Sequence, residues 1–236
     1  MGVLNVTKTL PAATAIICAV LVLCLAPSQA LAIDPPECIP WVWPDDLPAP
    51  PMVARDKRTV AALALISCVE LPLKDPWIHV EKAAFRLTLY DGEVALKSYP
   101  VSFGFSPYGD KVREGDGKTP EGEFYICQKA VIRRNEFLGT RWMRLSYPND
   151  EDARRGLASR LASRFQYEQI VNAIGKKLTP VQNTRLGGGI GIHGGAFDFQ
   201  GTMVRTWTLG CIGMYNSDVE ELYRYVRAGS LVRIDP

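Results

Sequence analysis

Gly191-Ile192-His193-Gly194-Gly195, followed by Trp207-Thr208-Leu209-Gly210-Cys211-Ile212-Gly213-Met214, is the stretch on which the reading of this chain turns. It holds one of only two histidines in 236 residues, with a cysteine downstream of it. A thiol is a weak nucleophile until a base takes its proton, and a nearby imidazole is the usual base. Ile190-Gly191-Ile192 is strand-like, so His193 is expected at a strand end facing a loop. A general base needs its second ring nitrogen held, and the Gly194 carbonyl is well placed to hold it. Asp198 is the only acidic residue nearby. The N–H groups of Gly210 and Cys211 are candidates for an oxyanion hole, because glycine lets backbone approach a substrate closely. Thr208 is expected to brace this loop by hydrogen bonding. Histidine before cysteine is the reverse of the papain-like order. The other histidine, in Ile78-His79-Val80, has no companion cluster of ligands, so neither a metal nor a cofactor is expected.

Outward from this stretch the chain reads as mainly β with helical insertions. Phe85, Leu87 and Leu89 alternate with Arg86, Thr88 and Tyr90, and Asp91-Gly92 is a two-residue hairpin signal returning into Val94–Val101. Gly104–Gly122 is a loop rich in glycine and charge. Phe124–Gln128 and Arg141–Leu145 read as strands. Asn149–Lys177 has helical spacing, opening on Asp150, Glu151 and Asp152 and closing on Lys176-Lys177, as the helix dipole favours. After Cys211, Ser217 and Glu220 have the spacing of a capping box, Val219, Leu222, Tyr223 and Val226 form an apolar stripe, and Gly229 stops the helix before a last strand, Leu231–Ile234.

The N-terminus reads as a secretory signal over residues 1–32. Lys8 is followed by an apolar run from Leu10 to Leu25 and an Ala30-Leu31-Ala32 cleavage site, so the chain is expected to be exported. Residues 33–76 hold a proline-rich linker, with Trp41 and Trp43, and a short helix within 53–71. Of the cysteines that remain, Cys38 and Cys68 are the plausible bridge, Cys127 lies in a strand, and Cys211 must stay free. A formal net charge of +2 is too balanced to imply nucleic acid as a partner.

At His193-Gly194 and Thr208-Leu209-Gly210-Cys211 the chain resembles the L,D-transpeptidase catalytic domain of bacterial cell-wall enzymes, and is closest to its murein L,D-transpeptidase-like branch. A second feature of that family, Gly-Asp-x-x-Thr-Pro-x-Gly-x-Phe, stands here as Gly115 to Phe124, and Ser146-Tyr147-Pro148-Asn149 and Trp207 to Asn216 fit the branch. The resemblance implies a β-sandwich over residues 77–235, acting in the periplasm or cell envelope. It implies that Cys211 attacks a peptidoglycan stem peptide, that His193 takes the thiol proton and passes it to the leaving D-alanine, and that the thioester goes to an amine acceptor or to water. The Thr119-Pro120 loop is expected to be architectural. Arg205 and Arg185 flank the site and are candidates for substrate carboxylates. Leu209 and Gly213 replace side chains that are polar in many members and lie near the substrate, which leaves acceptor choice open. A hydrolase using the same pair and a non-catalytic peptidoglycan-binding module are the alternatives.

Overall fold

The computed structural model describes residues 53–196 and 203–236. These belong to a unit spanning Trp41–Pro236; the expected signal segment, Cys38, Trp41, Trp43 and Asp198 lie outside the described residues. Ten strands and four helices follow one another among those residues. A short helix, α1 (Val60–Ile66), precedes β1 (Pro76–Glu81), β2 (Arg86–Asp91) and β3 (Val94–Pro100). Then come β4 (Phe103–Gly104), the long β5 (Gly122–Asn135) and β6 (Gly139–Leu145). Helices α2 (Asp150–Ala158) and α3 (Arg164–Gly175) separate these from β7 (Gly191–His193), β8 (Thr206–Thr208) and β9 (Ile212–Gly213). Helix α4 (Asn216–Tyr225) and β10 (Leu231–Asp235) complete the chain.

Eight strands form one mixed sheet in the order β3-β2-β1-β10-β5-β6-β7-β9, and β4 and β8 pair separately. The C-terminal strand therefore lies inside the sheet, parallel to β1 and antiparallel to β5. Period-two alternation explains the core. Ile78, Val80, Leu87, Leu89, Ile126, Met143, Leu145, Ile192, Ile212 and Val232 are all fully buried. Burying such side chains supplies about 1.5–3 kcal/mol each. Val219 and Leu222 bring α4 onto β6 and β7, which anchors the segment immediately after Cys211.

The helical region 149–177 is two helices. Each has its own capping box, Asn149 with Asp152 and Ser163 with Gln166, and the chain turns between them through Arg160 at a φ of 59°. The capping box read at Ser217 and Glu220 does not form. Helix α4 starts one residue before Ser217, on Tyr215 as its N-cap, which makes no side-chain cap bond. Ser217 instead accepts a hydrogen bond from Arg55, whose guanidinium also pairs with Asp218 at 2.7 Å. A long-range ion pair has replaced the local cap. Gly229 lies in the turn after α4, at a φ of 89°, while the helix itself ends at Tyr225. No helix among the described residues is long and apolar enough to cross a membrane.

Candidate active site

Strand β7 is only three residues long, yet it places the site. It runs antiparallel to β6, with Trp142 opposite His193 and Arg144 opposite Gly191, and parallel to β9, with Ile192 opposite Ile212 and His193 opposite Gly213. Met143, Ile192 and Ile212 point into the core. By the period of two, Trp142, Arg144, Gly191 and His193 share the opposite face, and Cys211, one residue before β9, falls on it too. His193 and Cys211 are thus diagonal neighbours on adjacent strands.

His193 is fully buried. Its Nδ1 lies 2.7 Å from the Gly194 carbonyl oxygen. A carbonyl only accepts, so Nδ1 carries the proton and Nε2 keeps its lone pair. That Nε2 has no hydrogen-bond partner among the described residues. The ring is enclosed by aromatics: Phe137 and Trp142 stack on it at 6.0 and 5.9 Å, and Trp207 meets it edge-on at 5.6 Å. Burial against these apolar walls drives the imidazole pKa down to about 4, with the Gly194 hydrogen bond opposing only in part. The imidazole is therefore neutral at neutral pH.

The Cys211 thiol donates to the Gly189 carbonyl at 3.5 Å. Burial pushes its pKa up to about 11, while the Gly191 backbone and the charges of Lys111 and Arg144 pull the other way. The loop carrying it is held by Thr208, which is fully buried. Its Oγ1 donates to the Cys211 carbonyl at 2.7 Å and accepts the Gly210 N–H at 3.1 Å. Of the two N–H groups expected to receive an oxyanion, that of Gly210 is thus already engaged. Gly210 itself sits at a φ of 133°, where a Cβ would lie 2.5 Å from the Lys118 carbonyl oxygen. Only glycine fits there.

Lys118 belongs to the loop between β4 and β5, which builds the floor under Gly210. Asp116 organises that loop by accepting N–H bonds from Val112, Arg113 and Lys118 and an ion pair from buried Lys111 at 2.7 Å. Thr119 is fully buried, and its Oγ1 accepts the Gly104 N–H at 3.1 Å. The Thr119-Pro120 segment is structural scaffolding. Replacing Thr208 with alanine removes both Oγ1 bonds and should cost about 1–3 kcal/mol. Thr208→Ser keeps both and should lose only what the buried methyl contributes, about 1 kcal/mol, as read from urea unfolding midpoints.

Other expected neighbours fall elsewhere. The Arg205 guanidinium lies over the Phe85 ring at 5.6 Å, and Arg185 is exposed, with its carbonyl accepting the Glu114 N–H. Gly213 does not mark a lost polar group beside a substrate. A Cβ there would meet Ser102 Oγ at 2.3 Å, Ala196 at 3.1 Å and Trp207 at 3.2 Å, so the position is closed by packing. Leu209 is 69% exposed and does lie open to solvent beside Cys211. Cys68 is exposed, and Cys127 is half-buried on β5, its Sγ 3.6 Å from the Arg144 carbonyl. Among the described residues no group of three His, Cys, Asp or Glu side chains is arranged to hold a metal ion.

Sequence reasoning did not single out the aromatic walls or Asn216 as site residues. Asn216, at the start of α4, accepts the Gly195 N–H at 3.2 Å and so ties the turn after His193 to the segment after Cys211. Trp142 had a weak signal as a tryptophan in the strand read at Arg141–Leu145, and Trp207 and Asn216 as the ends of the stretch that fits the family branch. Phe137, on the β5–β6 turn, had none.

A β-rich domain that presents a glycine-flanked cysteine and histidine on neighbouring strands is the class of protein in view. The chain belongs to the YkuD family, the L,D-transpeptidase catalytic domain, whose family model matches residues 75–234. No curated protein matches it. Among solved structures it is similar to the helical cell shape determining protein Pgp2 of Campylobacter jejuni (K307A mutant), with 24% identity, a TM-score of 0.46, and coverage of 69% of this chain and 48% of that one. It is also similar to Bd1075 of Bdellovibrio bacteriovorus (20% identity, TM-score 0.44, 70% and 49%) and to an L,D-transpeptidase from Mycobacterium smegmatis (13%, 0.41, 69% and 59%). The chain spans about half the length of these relatives.

Proposed function

We propose that this chain is an exported cysteine acyltransferase that acts on peptidoglycan stem peptides in the cell envelope. Cys211 is the nucleophile and His193 the general base and acid. The observation that carries the reading is the state of His193. It is a buried imidazole whose Nδ1–H is held by a carbonyl and whose Nε2 is left with a lone pair and no partner, diagonal to a cysteine on the next strand. A core histidine would have both nitrogens satisfied.

Both groups are neutral at rest, so thiol deprotonation accompanies attack. Cys211 Sγ bonds to the peptide carbonyl carbon as its proton passes to His193 Nε2. The carbonyl oxygen becomes an oxyanion, for which we assign the Cys211 N–H as donor, since that of Gly210 is engaged by Thr208. Collapse breaks the C–N bond, and the imidazolium returns the proton to the leaving amine. The thioester is then attacked by an acceptor amine, or by water.

The test is to incubate the protein with a stem tetrapeptide, with and without a free-amine acceptor, and to weigh the products. Loss of the terminal residue with formation of a joined product supports transfer. A shortened peptide alone would replace transfer with hydrolysis, the alternative that exposed Leu209 keeps in view. No product of either kind would overturn the enzymatic reading.

A further inference from the structure

The face that carries Cys211 also carries a cation that the catalytic scheme does not use. Arg144 lies opposite Gly191 on β6, and Cys211 follows on the far side of Gly191 in the parallel register of β7 and β9. Gly191 has no side chain of its own, and the Trp142 indole covers it, 2.7 Å from where a Cβ would lie. The Arg144 guanidinium lies over the Trp142 ring at 5.6 Å. It is fastened by two neutral acceptors, Gln128 Oε1 at 3.0 Å and Gln182 Oε1 at 2.9 Å. The same Gln182 oxygen accepts the Gly189 N–H at 2.8 Å, and the Gly189 carbonyl accepts the Cys211 thiol. Gln182 thus links the guanidinium to Gly189, the residue whose carbonyl holds the Cys211 thiol.

What Arg144 lacks is a counter-charge. It makes no ion pair among the described residues, whereas Lys111, the other cation felt at Cys211, is buried and neutralised by Asp116. Two glutamines hold the arginine without cancelling its charge. An arginine in that state matches a carboxylate, which its planar fork can bind through two parallel bonds.

We propose that Arg144 is a specificity residue whose guanidinium binds the terminal carboxylate of the residue that leaves the donor peptide. That residue's carboxylate carbon lies within about 4 Å of the attacked carbonyl carbon, close enough for a guanidinium on the same face to reach. The inference rests on the function proposed above for the peptide nature of the ligand and for the carbonyl that Cys211 attacks.

Two measurements separate the inference from that reading. The first uses iodoacetate and iodoacetamide, which differ by a carboxylate, and follows alkylation of Cys211 by peptide mass. In free thiols the amide reagent is the faster. Wild type should shift the iodoacetate-to-iodoacetamide rate ratio toward iodoacetate by about five- to tenfold relative to Arg144→Gln, with Arg144→Lys intermediate and the shift shrinking at high salt. The ratio is internal to each protein, so a variant that merely loosens the loop slows both reagents and leaves it unchanged. The second compares tetrapeptides ending in a free carboxylate or an amide. Wild type should prefer the carboxylate, mainly through KM, and Arg144→Gln should lose the preference. An unchanged alkylation ratio in Arg144→Gln overturns the carboxylate site, whatever the peptides show. A changed ratio without turnover of either peptide supports the anion site and counts against the transferase reading instead.

Discussion

Cys211→Ala is expected to fold like the wild type and to lose acyl transfer by at least ~10³-fold, because no other group on that face forms a thioester. The substitution takes one sulfur from a partly exposed position and leaves the Thr208 bonds to the backbone of residues 210 and 211 in place. Thermal unfolding of the variant should therefore stay close to that of the wild type. A carbapenem provides a sharper readout than turnover, since a ring-opened β-lactam stays on the sulfur and adds its whole mass to the intact protein. Wild type should gain one drug mass, and the peptide containing Cys211 should carry it. Cys68 and Cys127 are controls within the same molecule. Cys68 is exposed, and the Cys127 thiol is raised by burial, but neither lies beside an unpartnered histidine nitrogen. An adduct on either of them in place of Cys211, or full activity in Cys211→Ala, would remove Cys211 from the mechanism. Binding to cell-wall sacculi without any adduct would favour a binding module.

The second large effect concerns protonation at His193. With the thiol at about 11 and the imidazole at about 4, the resting pair is neutral across the physiological range, and no thiolate–imidazolium pair is preformed. Ultraviolet absorbance of the thiolate at Cys211, taken as the difference from Cys211→Ala, should appear only above about pH 9. A thiolate signal at pH 6 would contradict this arrangement. Acylation should hold a plateau through neutral pH and fall on the acid side only as the pH nears 4, where the base is lost. His193→Gln should lower acylation by about 10²–10⁴-fold at every pH on that plateau.

The same burial links pH to stability. The folded-state pKa of His193 is depressed below its unfolded value, so the unfolded chain binds a proton that the folded chain refuses between about pH 6.5 and 4. Stability contributed by the neutral ring is complete above that window and falls as pH drops through it, by roughly 2–3 kcal/mol. Urea midpoints at pH 7 and pH 4.5 should therefore differ more for wild type than for His193→Gln.

Much of this molecule could be read along the chain. Strand β2 followed from alternation, the β2–β3 hairpin from Asp91-Gly92, and the break before β10 from Gly229, because each depends on neighbours in sequence; β5 runs on to Asn135 beyond the expected Phe124–Gln128, and the short β4, β8 and β9 exist only through their pairing partners. The cap of α4 could not be read so. Ser217 and Glu220 have the right spacing, but Arg55, far away in sequence, engages Ser217 and Asp218. The helical stretch 149–177 hid its break because Ser163 and Gln166, a capping box in their own right, stand within an otherwise continuous apolar spacing.

The same division runs through the site. His193, Cys211, Gly210, Gly194 and Thr208 stand out in the sequence because their chemistry depends on what lies within a few residues: a carbonyl next to the ring, a hydroxyl three residues before the thiol, a backbone turn that only glycine adopts. By itself the sequence named the groups that are proposed to carry the chemistry. Their protonation, and the charge placed beside them, belonged to the tertiary structure. Phe137, Trp142 and Trp207 come from separate strands and turns to dry one imidazole, Gly213 is closed by Ser102 and Ala196, and Arg144 reaches the nucleophile's face only because β6, β7 and β9 lie side by side in that register. Desolvation and electrostatics depend on what surrounds a group in space, and that is decided by sheet order, not by position along the chain.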